Sequence, residues 1–356
     1  MRRRDCLIWT GALALPQAHA RADAPLLAAS WASGGQHQLG VLRVHEGRTV
    51  VAAAIDLPTR AHGLLAEPGG SLLAVARRPG DWLLRWRADG QVMARQWIEP
   101  QRCFNGHLLL SRDGRWLFSS ETDLDSGQGL IGVRDAATLE KLAEWPTQGL
   151  DPHQLLLDDD DHLLVANGGV ATQAETGRLK LQRATMDASL VRLDGRSGAL
   201  LGQWRLADAR LSPRHLGWAG TGTSGRRLLG IALQAEHDDA AARAAAPVLA
   251  LFDGQRLTPC AQPAALAGYG GDIAFDGSRW AVSCPRADAL AWWQADGRWL
   301  GMQPAAGACA LAGDVQALWS GGGALGRWRA GLADGSAPLP EAALRLDNHW
   351  LRLPSA

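Results

Sequence analysis

This sequence has no charge imbalance, little lysine and no closely paired cysteines. Its 36 basic residues, nearly all arginine, balance 36 acidic ones, and the net charge is zero. A neutral chain has no electrostatic means of gathering on nucleic acid or an anionic membrane. No apolar run is long enough to span a bilayer as a mature helix. There is no Gly-rich phosphate loop, no G-x-S-x-G elbow and no H-E-x-x-H helix. Nucleotide hydrolysis, serine-esterase and zincin chemistry therefore lack support. Of five cysteines, none forms a C-x-x-C pair, which argues against a zinc ribbon. Spacing alone leaves Cys103, Cys260, Cys284 and Cys309 open to a disulfide or to a life as free buried thiols.

The first twenty residues read as an export signal. Arg2-Arg3-Arg4 is a positive n-region, Leu7 to Leu15 a short apolar stretch, and Ala18-His19-Ala20 an A-x-A cleavage site. Arg3-Arg4-Asp5-Cys6-Leu7 also has the look of a twin-arginine signal, with an ordinary Sec signal as the alternative. Cys6 lies too far from the cleavage site to be a lipoprotein cysteine. The expected location is the periplasm, and the expected fold occupies 21–356 as a single domain.

Glycine, by contrast, is abundant, with 42 residues, and it punctuates a repeat. Arg102 to Phe118 holds a Gly-His entry, an apolar strand, a Ser-x-Asp-Gly turn and a second apolar strand. Asp-Gly between apolar runs is a strong hairpin signal, because both residues accept positive φ. The same grammar opens at His62, His107, His153, His215, Asp272, Cys309 and His349. The intervals are 45, 46, 62, 57, 37 and 40 residues. Periods near 40–50 residues with short strands define a β-propeller of the WD40 or YVTN kind. Strands at 25–31, 38–44 and 49–56 lack an innermost partner, and Asn348 to Leu353 is one strand alone. Joining them gives seven blades and removes a loose edge; six or eight blades are the rival counts. The 16 Trp, mostly in third and outer strands, read as plates packed between blades. An Ala-rich run before Pro247 is expected to be a short helix or a loop.

His62, His107, His153, His215 and His349 hold the same place in five consecutive repeats. First strands of propeller blades line the central channel. Five neutral imidazoles at one level would suit iron, copper or zinc. The competing reading makes each one a packing device that bonds a turn acid or hydroxyl of its own blade. Asp272 and Cys309 fill the two remaining positions. Glu121, in a Glu-x-Asp-x-Asp run with Asp123 and Asp125 before Gly127, offers oxygen ligands of the kind hard cations take, though the run is too short for an EF-hand; it reads as part of a solvated turn or as a partner orienting an imidazole at the metal site. Asn167, Arg178 and Lys180, around Gly168-Gly169, read as an anion or substrate clamp or as a surface loop. Arg77-Arg78-Pro79-Gly80 and Asp158 to Asp161 read as solvated turns.

Several stretches together resemble a known family. They are Phe104-Asn105-Gly106-His107, Ser119 to Asp123, Gly127 to Asp135, Val165 to Gly169, Gly177 to Leu181, Thr185 to Leu190 and Asp347-Asn348-His349. The resemblance is to an exported bacterial propeller family, domain of unknown function 1513, and it covers nearly the whole chain beyond the signal. Cys103 and Asn105 depart mildly from that family's usual Phe-Tyr-Gly-His stretch. Members are often encoded beside imelysin-like iron-uptake proteins and a haem-containing thiol-oxidoreductase-like protein. The resemblance implies a periplasmic role linked to iron; with the axial histidines, the expectation is a monomeric binding or accessory protein for iron or another transition metal, with imelysin-like partners or a small ligand. A metal-dependent oxidoreductase, a lactonase-like hydrolase and a metal-free interaction platform are the other expectations.

Overall fold

The computed structural model describes residues 26–45, 47–170, 186–221, 227–313, 317–340 and 344–353. The export signal, Arg178 and Lys180 lie outside the described residues.

The strands form seven four-stranded antiparallel sheets around one axis. The first blade is β1 (Leu26–Ser33), β2 (Gln36–His45) and β3 (Arg48–Leu57). The second is β4 (Ala61–Ala66), β5 (Ser71–Ala76), β6 (Trp82–Arg87) and β7 (Val92–Trp97). The third is β8 (Arg102–Leu110), β9 (Trp116–Asp123), β10 (Gln128–Asp135) and β11 (Lys141–Leu150). The fourth is β12 (Pro152–Leu157), β13 (Leu163–Asn167), β14 (Ser189–Leu193) and β15 (Leu200–Trp204). The fifth is β16 (Leu211–Thr221), β17 (Arg227–Ala235), β18 (Leu249–Phe252) and β19 (Leu257–Pro259), with a short helix α1 (Ala240–Ala245) between β17 and β18. Asp239 caps that helix by accepting the amide of Ala242. The sixth is β20 (Ile273–Phe275), β21 (Arg279–Cys284), β22 (Ala289–Gln294) and β23 (Trp299–Pro304). The seventh is β24 (Ala310–Gly313), β25 (Leu318–Gly321), β26 (Ala324–Arg329) and β27 (Leu332–Pro338).

The last strand, β28 (Arg345–Leu353), returns to the first blade and pairs antiparallel with β1, Leu353 opposite Leu26. Both ends of the described chain thus share one sheet, as the sequence predicts. The reason is edge chemistry: β28 satisfies amides and carbonyls along β1 that would otherwise face the channel unpaired.

Alternating strands bury side chains on both faces, so each blade must be covered on both sides. The buried apolar residues accordingly form seven clusters, and each joins two adjacent blades until the ring closes. Trp31, Trp82, Trp86, Trp280 and Trp293 are fully buried in these seams. Trp82 and Trp293 still find acceptors for their indole N–H, in Thr59 Oγ1 at 2.8 Å and the Ala261 carbonyl at 3.2 Å. All four cysteines among the described residues are free thiols.

Candidate metal centre on the axis

The five repeat histidines lie on the innermost strands β4, β8, β12, β16 and β28, and their rings meet on the axis. Going round, the centroid distances are 4.6 Å from His349 to His62, 4.9 Å to His107, 4.5 Å to His153, 4.7 Å to His215 and 4.5 Å back to His349. Across the ring, His62 to His153, His62 to His215, His107 to His215 and His107 to His349 run only from 5.2 to 6.3 Å. The imidazoles are therefore bunched together rather than spread in a flat circle. The packing alternative predicts separate bonds to turn acids within each blade, and this arrangement is different.

The backbone is bent to achieve it. Each histidine-bearing strand slips register against its neighbour at or beside the histidine. The slips fall between Ala61 and Leu64, Phe104 and Leu108, Pro152 and Leu155, and Pro213 and His215, and in β1 between Ala29 and Trp31 opposite β28. The two inner strands without histidine, β20 and β24, pair with no slip. A bulge adds a residue on one strand and re-aims a side chain. Here the irregularity goes with the imidazole. Glycine makes the convergence possible at Gly106, whose φ is +99°. A Cβ there would stand 2.6 Å from Cδ2 of His62, so the residue before His107 must be bare.

The nitrogens have few partners. Nε2 of His153 and Nε2 of His215 are 3.0 Å apart. Nδ1 of His349 is 3.3 Å from Oδ2 of Asp272. Both oxygens of that carboxylate also accept backbone amides, from Ile273 at 2.9 Å and Leu311 at 3.0 Å. Both ring nitrogens of His62, Nε2 of His107 and Nε2 of His349 are buried with no hydrogen-bond partner in the protein. His62, His107, His215 and His349 each offer one nitrogen, and these four atoms lie within 4.8 Å of one another. Metal–nitrogen bonds of about 2.0–2.1 Å would set tetrahedral ligands roughly 3.4 Å apart. The set is close to that size and slightly open.

Burial holds His62, His107, His153 and His215 well below the ordinary imidazole pKa, and the charges of neighbouring histidines and nearby arginines act in the same direction. Neutral imidazole is the form that binds metals. The same shifts predict acid sensitivity. A depressed folded pKa leaves the unfolded chain holding more protons below its own pKa of about 6.5. Stability from these four groups is therefore full above that pH and is lost as pH falls toward the folded values. The expected slope for metal-free protein is about 1.4 kcal/mol per histidine per pH unit. Urea unfolding at pH 7.5 and 5.5 checks it, and a flat profile would contradict neutral burial.

Other residues singled out from sequence lie elsewhere. Glu121 is not beside the histidines. It is fully buried in an ion network, 2.9 Å from Arg134 and 2.7 Å from Lys141, and it accepts from Ser119 at 2.6 Å. It is neither a solvated turn residue nor an imidazole partner, because its oxygens are engaged by those cations. Asn167 is buried at the end of β13 and donates to the Thr147 carbonyl at 2.9 Å and to Ser189 Oγ at 3.3 Å. That places it at the seam between the third and fourth blades, not on a rim loop. Asp158 is also buried and holds its turn through the amides of Asp160 and His162.

Arg78 corrects a further expectation. Its side chain is only 12% exposed and pairs with Asp151, which also takes Arg214 at 2.6 Å. Arg60 pairs likewise with Asp347. Sequence reasoning passed over this polar layer. Its one signal was a charged residue one or two places before a histidine: Asp151, Arg214 and Asp347.

Fold and axis together define a seven-bladed β-propeller whose channel is closed by a cluster of five histidines. The chain belongs to the family described as Protein of unknown function (DUF1513), whose model matches residues 55–353. No curated protein matches the sequence. Among solved structures, a streptogramin B lyase is 12% identical, with a TM-score of 0.56, covering 80% of this chain and 84% of that one. A catalytically inactive virginiamycin B lyase from Staphylococcus aureus with quinupristin is 11% identical, with a TM-score of 0.56, covering 85% and 93%. A protein of unknown function from Bacteroides caccae is 9% identical, with a TM-score of 0.50, covering 94% and 100%. At such identities the likeness is one of fold.

Proposed function

We propose that this protein is a periplasmic binding or accessory protein for iron or another transition metal, and that the axial histidine cluster is its metal site. The observation that carries this is the convergence of five imidazoles with several buried nitrogens unpartnered. Unpartnered buried polar atoms are costly, and a cluster of them needs a compensating ligand. Neutral nitrogen donors without a carboxylate-rich shell favour iron, copper or zinc over calcium or magnesium. The Asp272 carboxylate beside His349 matches the usual partner of a metal-ligating imidazole, fixing its tautomer. The export signal read in residues 1–20 and the family's resemblance-based link to imelysin-like proteins support a role in periplasmic iron handling, through the twin-arginine route.

A second reading is an enzyme working at the same axis, since two solved propellers of this shape are named as lyases. The cavity against the histidines is only about 20 Å³. That is room for roughly one water-sized species, which favours holding a metal over turning over a substrate. The test is a titration of chelator-stripped protein with Fe²⁺, Cu²⁺ and Zn²⁺, followed by calorimetry and elemental analysis. One metal per chain is expected, with affinity held as pH falls through the ordinary imidazole range and lost only toward the depressed values of the buried histidines. No stoichiometric binding of any of the three would leave the metal-free platform as the better reading.

A further inference from the structure

The polar layer beside the histidines holds one group that the protein leaves half-satisfied. Arg214 stands in β16 at the register slip between Pro213, opposite Leu233, and His215, opposite Ala232, so no residue of β17 opposes it. A residue skipped in this way is re-aimed by the bulge. Its guanidinium is fully buried. One side of the fork is closed: Nη1 donates to Asp151 at 2.6 Å, and a Cβ at Gly168 would stand 2.6 Å from the same nitrogen. Nε and Nη2 share another edge, and neither has a hydrogen-bond partner among the described residues. A guanidinium has donors only, so that edge is satisfied only by an acceptor from outside the protein.

The space for that acceptor is small. Arg214 lines the axial cavity with His62, His153 and His215, and the cavity is about 20 Å³. That admits one water, which needs about 10–15 Å³, and nothing much larger. His62 and His215 also belong to the four imidazoles whose nitrogens come within 4.8 Å of one another. The cavity therefore lies against ligands of the metal, and whatever occupies it is the metal's neighbour. Four nitrogens leave a position over on a tetragonal or octahedral ion such as Cu²⁺ or Fe²⁺. A water has two lone pairs, one for the metal and one for the open guanidinium edge. The side-chain carbonyls of Gln234 and Asn348, on the same wall, offer acceptors for its hydrogens.

We propose that the axial metal keeps one coordination position for a water molecule, and that Arg214 holds this water in place. This rests on the metal reading above and deepens it. The centre is then an open one. A closed structural site has every position filled by protein, whereas an open one keeps a position for water or another small ligand. Arg214 is a positioning residue: it binds the water and not the metal. The bulge that aims His215 at the axis also places Arg214, the residue before it, against the open position.

The test loads metal-stripped full-length protein with Cu²⁺ in water enriched in ¹⁷O and reads the copper by pulsed electron–nuclear double resonance. A ¹⁷O coupling from one directly bound water is expected beside the imidazole nitrogen couplings. Arg214→Met removes every donor at similar length, and Asp151 keeps Arg78. This variant should still take one Cu²⁺ per chain but show at least a twofold loss of the ¹⁷O signal. If it does not fold, Arg214→Lys keeps a cation on Asp151, lacks the open edge of the fork and should show the same loss. Copper bound through nitrogen couplings alone would overturn this inference and leave the metal site standing. A ¹⁷O signal unchanged in the variant would also overturn it, because the water would not depend on the guanidinium. Absence of Cu²⁺ binding by the wild-type protein would remove the metal reading itself.

Discussion

Replacing His62 and His107 together by Ala is expected to lower transition-metal affinity by at least about 100-fold, since losing even an outer partner of a metal ligand costs 10–100-fold. Both rings belong to the group of four whose nitrogens lie within 4.8 Å of one another, and neither has a protein partner for its Nε2. The blades should remain folded, because these side chains face the axis and take no part in the seven apolar seams. The same variant should change the acid response in the opposite direction. Two groups with depressed pKa are gone, so stability should fall less steeply below pH 6.5, by about 2.8 kcal/mol less per pH unit. Calorimetric titration and urea unfolding at two pH values give both numbers. Wild-type metal affinity in the double variant would sink the axial assignment, whatever the pH profile shows.

Glu121→Ala is expected to destabilise the protein by about 3–5 kcal/mol, the range for removing one partner of a buried ion pair. Arg134 and Glu121 are both fully buried, and the substitution leaves the guanidinium with the part-exposed Glu99, 3.0 Å away, as its one remaining acidic partner among the described residues. Lys141 keeps Glu99 at 2.5 Å and Glu144 at 2.8 Å, so the network is weakened and not erased. Glu121→Gln should cost less, since an amide still accepts hydrogen bonds from Arg134 and Ser119. Metal affinity should be unchanged in both variants, because Glu121 makes its contacts inside its own blade and with Glu99's neighbours. Urea denaturation measures the first effect and titration the second. A large loss of metal affinity with little loss of stability would restore Glu121 to the site.

The repeat and its closure were legible from local chemistry. Asp-Gly turns, apolar runs of strand length and a recurring entry residue are properties of adjacent residues, and they need no distant partner to be read. A lone terminal strand beside three unmatched ones allowed few solutions. The histidine set was legible for the same reason: residues at one place in successive repeats occupy one level of a ring. The helix at Ala240 and the free state of the cysteines were open, since an Ala-rich run and four scattered thiols are compatible with more than one outcome.

Sequence by itself thus determined the seven-bladed ring, its N- and C-terminal closure and the five residues that meet at its centre. Only the tertiary structure decided that their rings touch, because this depends on bulges that re-aim inner-strand residues and on a bare backbone at Gly106. It also decided the fates of Glu121, Asn167 and Arg78. An acidic residue in a strand and an Arg-Arg-Pro turn look solvated when their partners are unseen. Arg134 is thirteen residues from Glu121, and Asp151 is seventy-three from Arg78. Charge is a long-range quantity, and which charges are buried together is fixed only when the blades close.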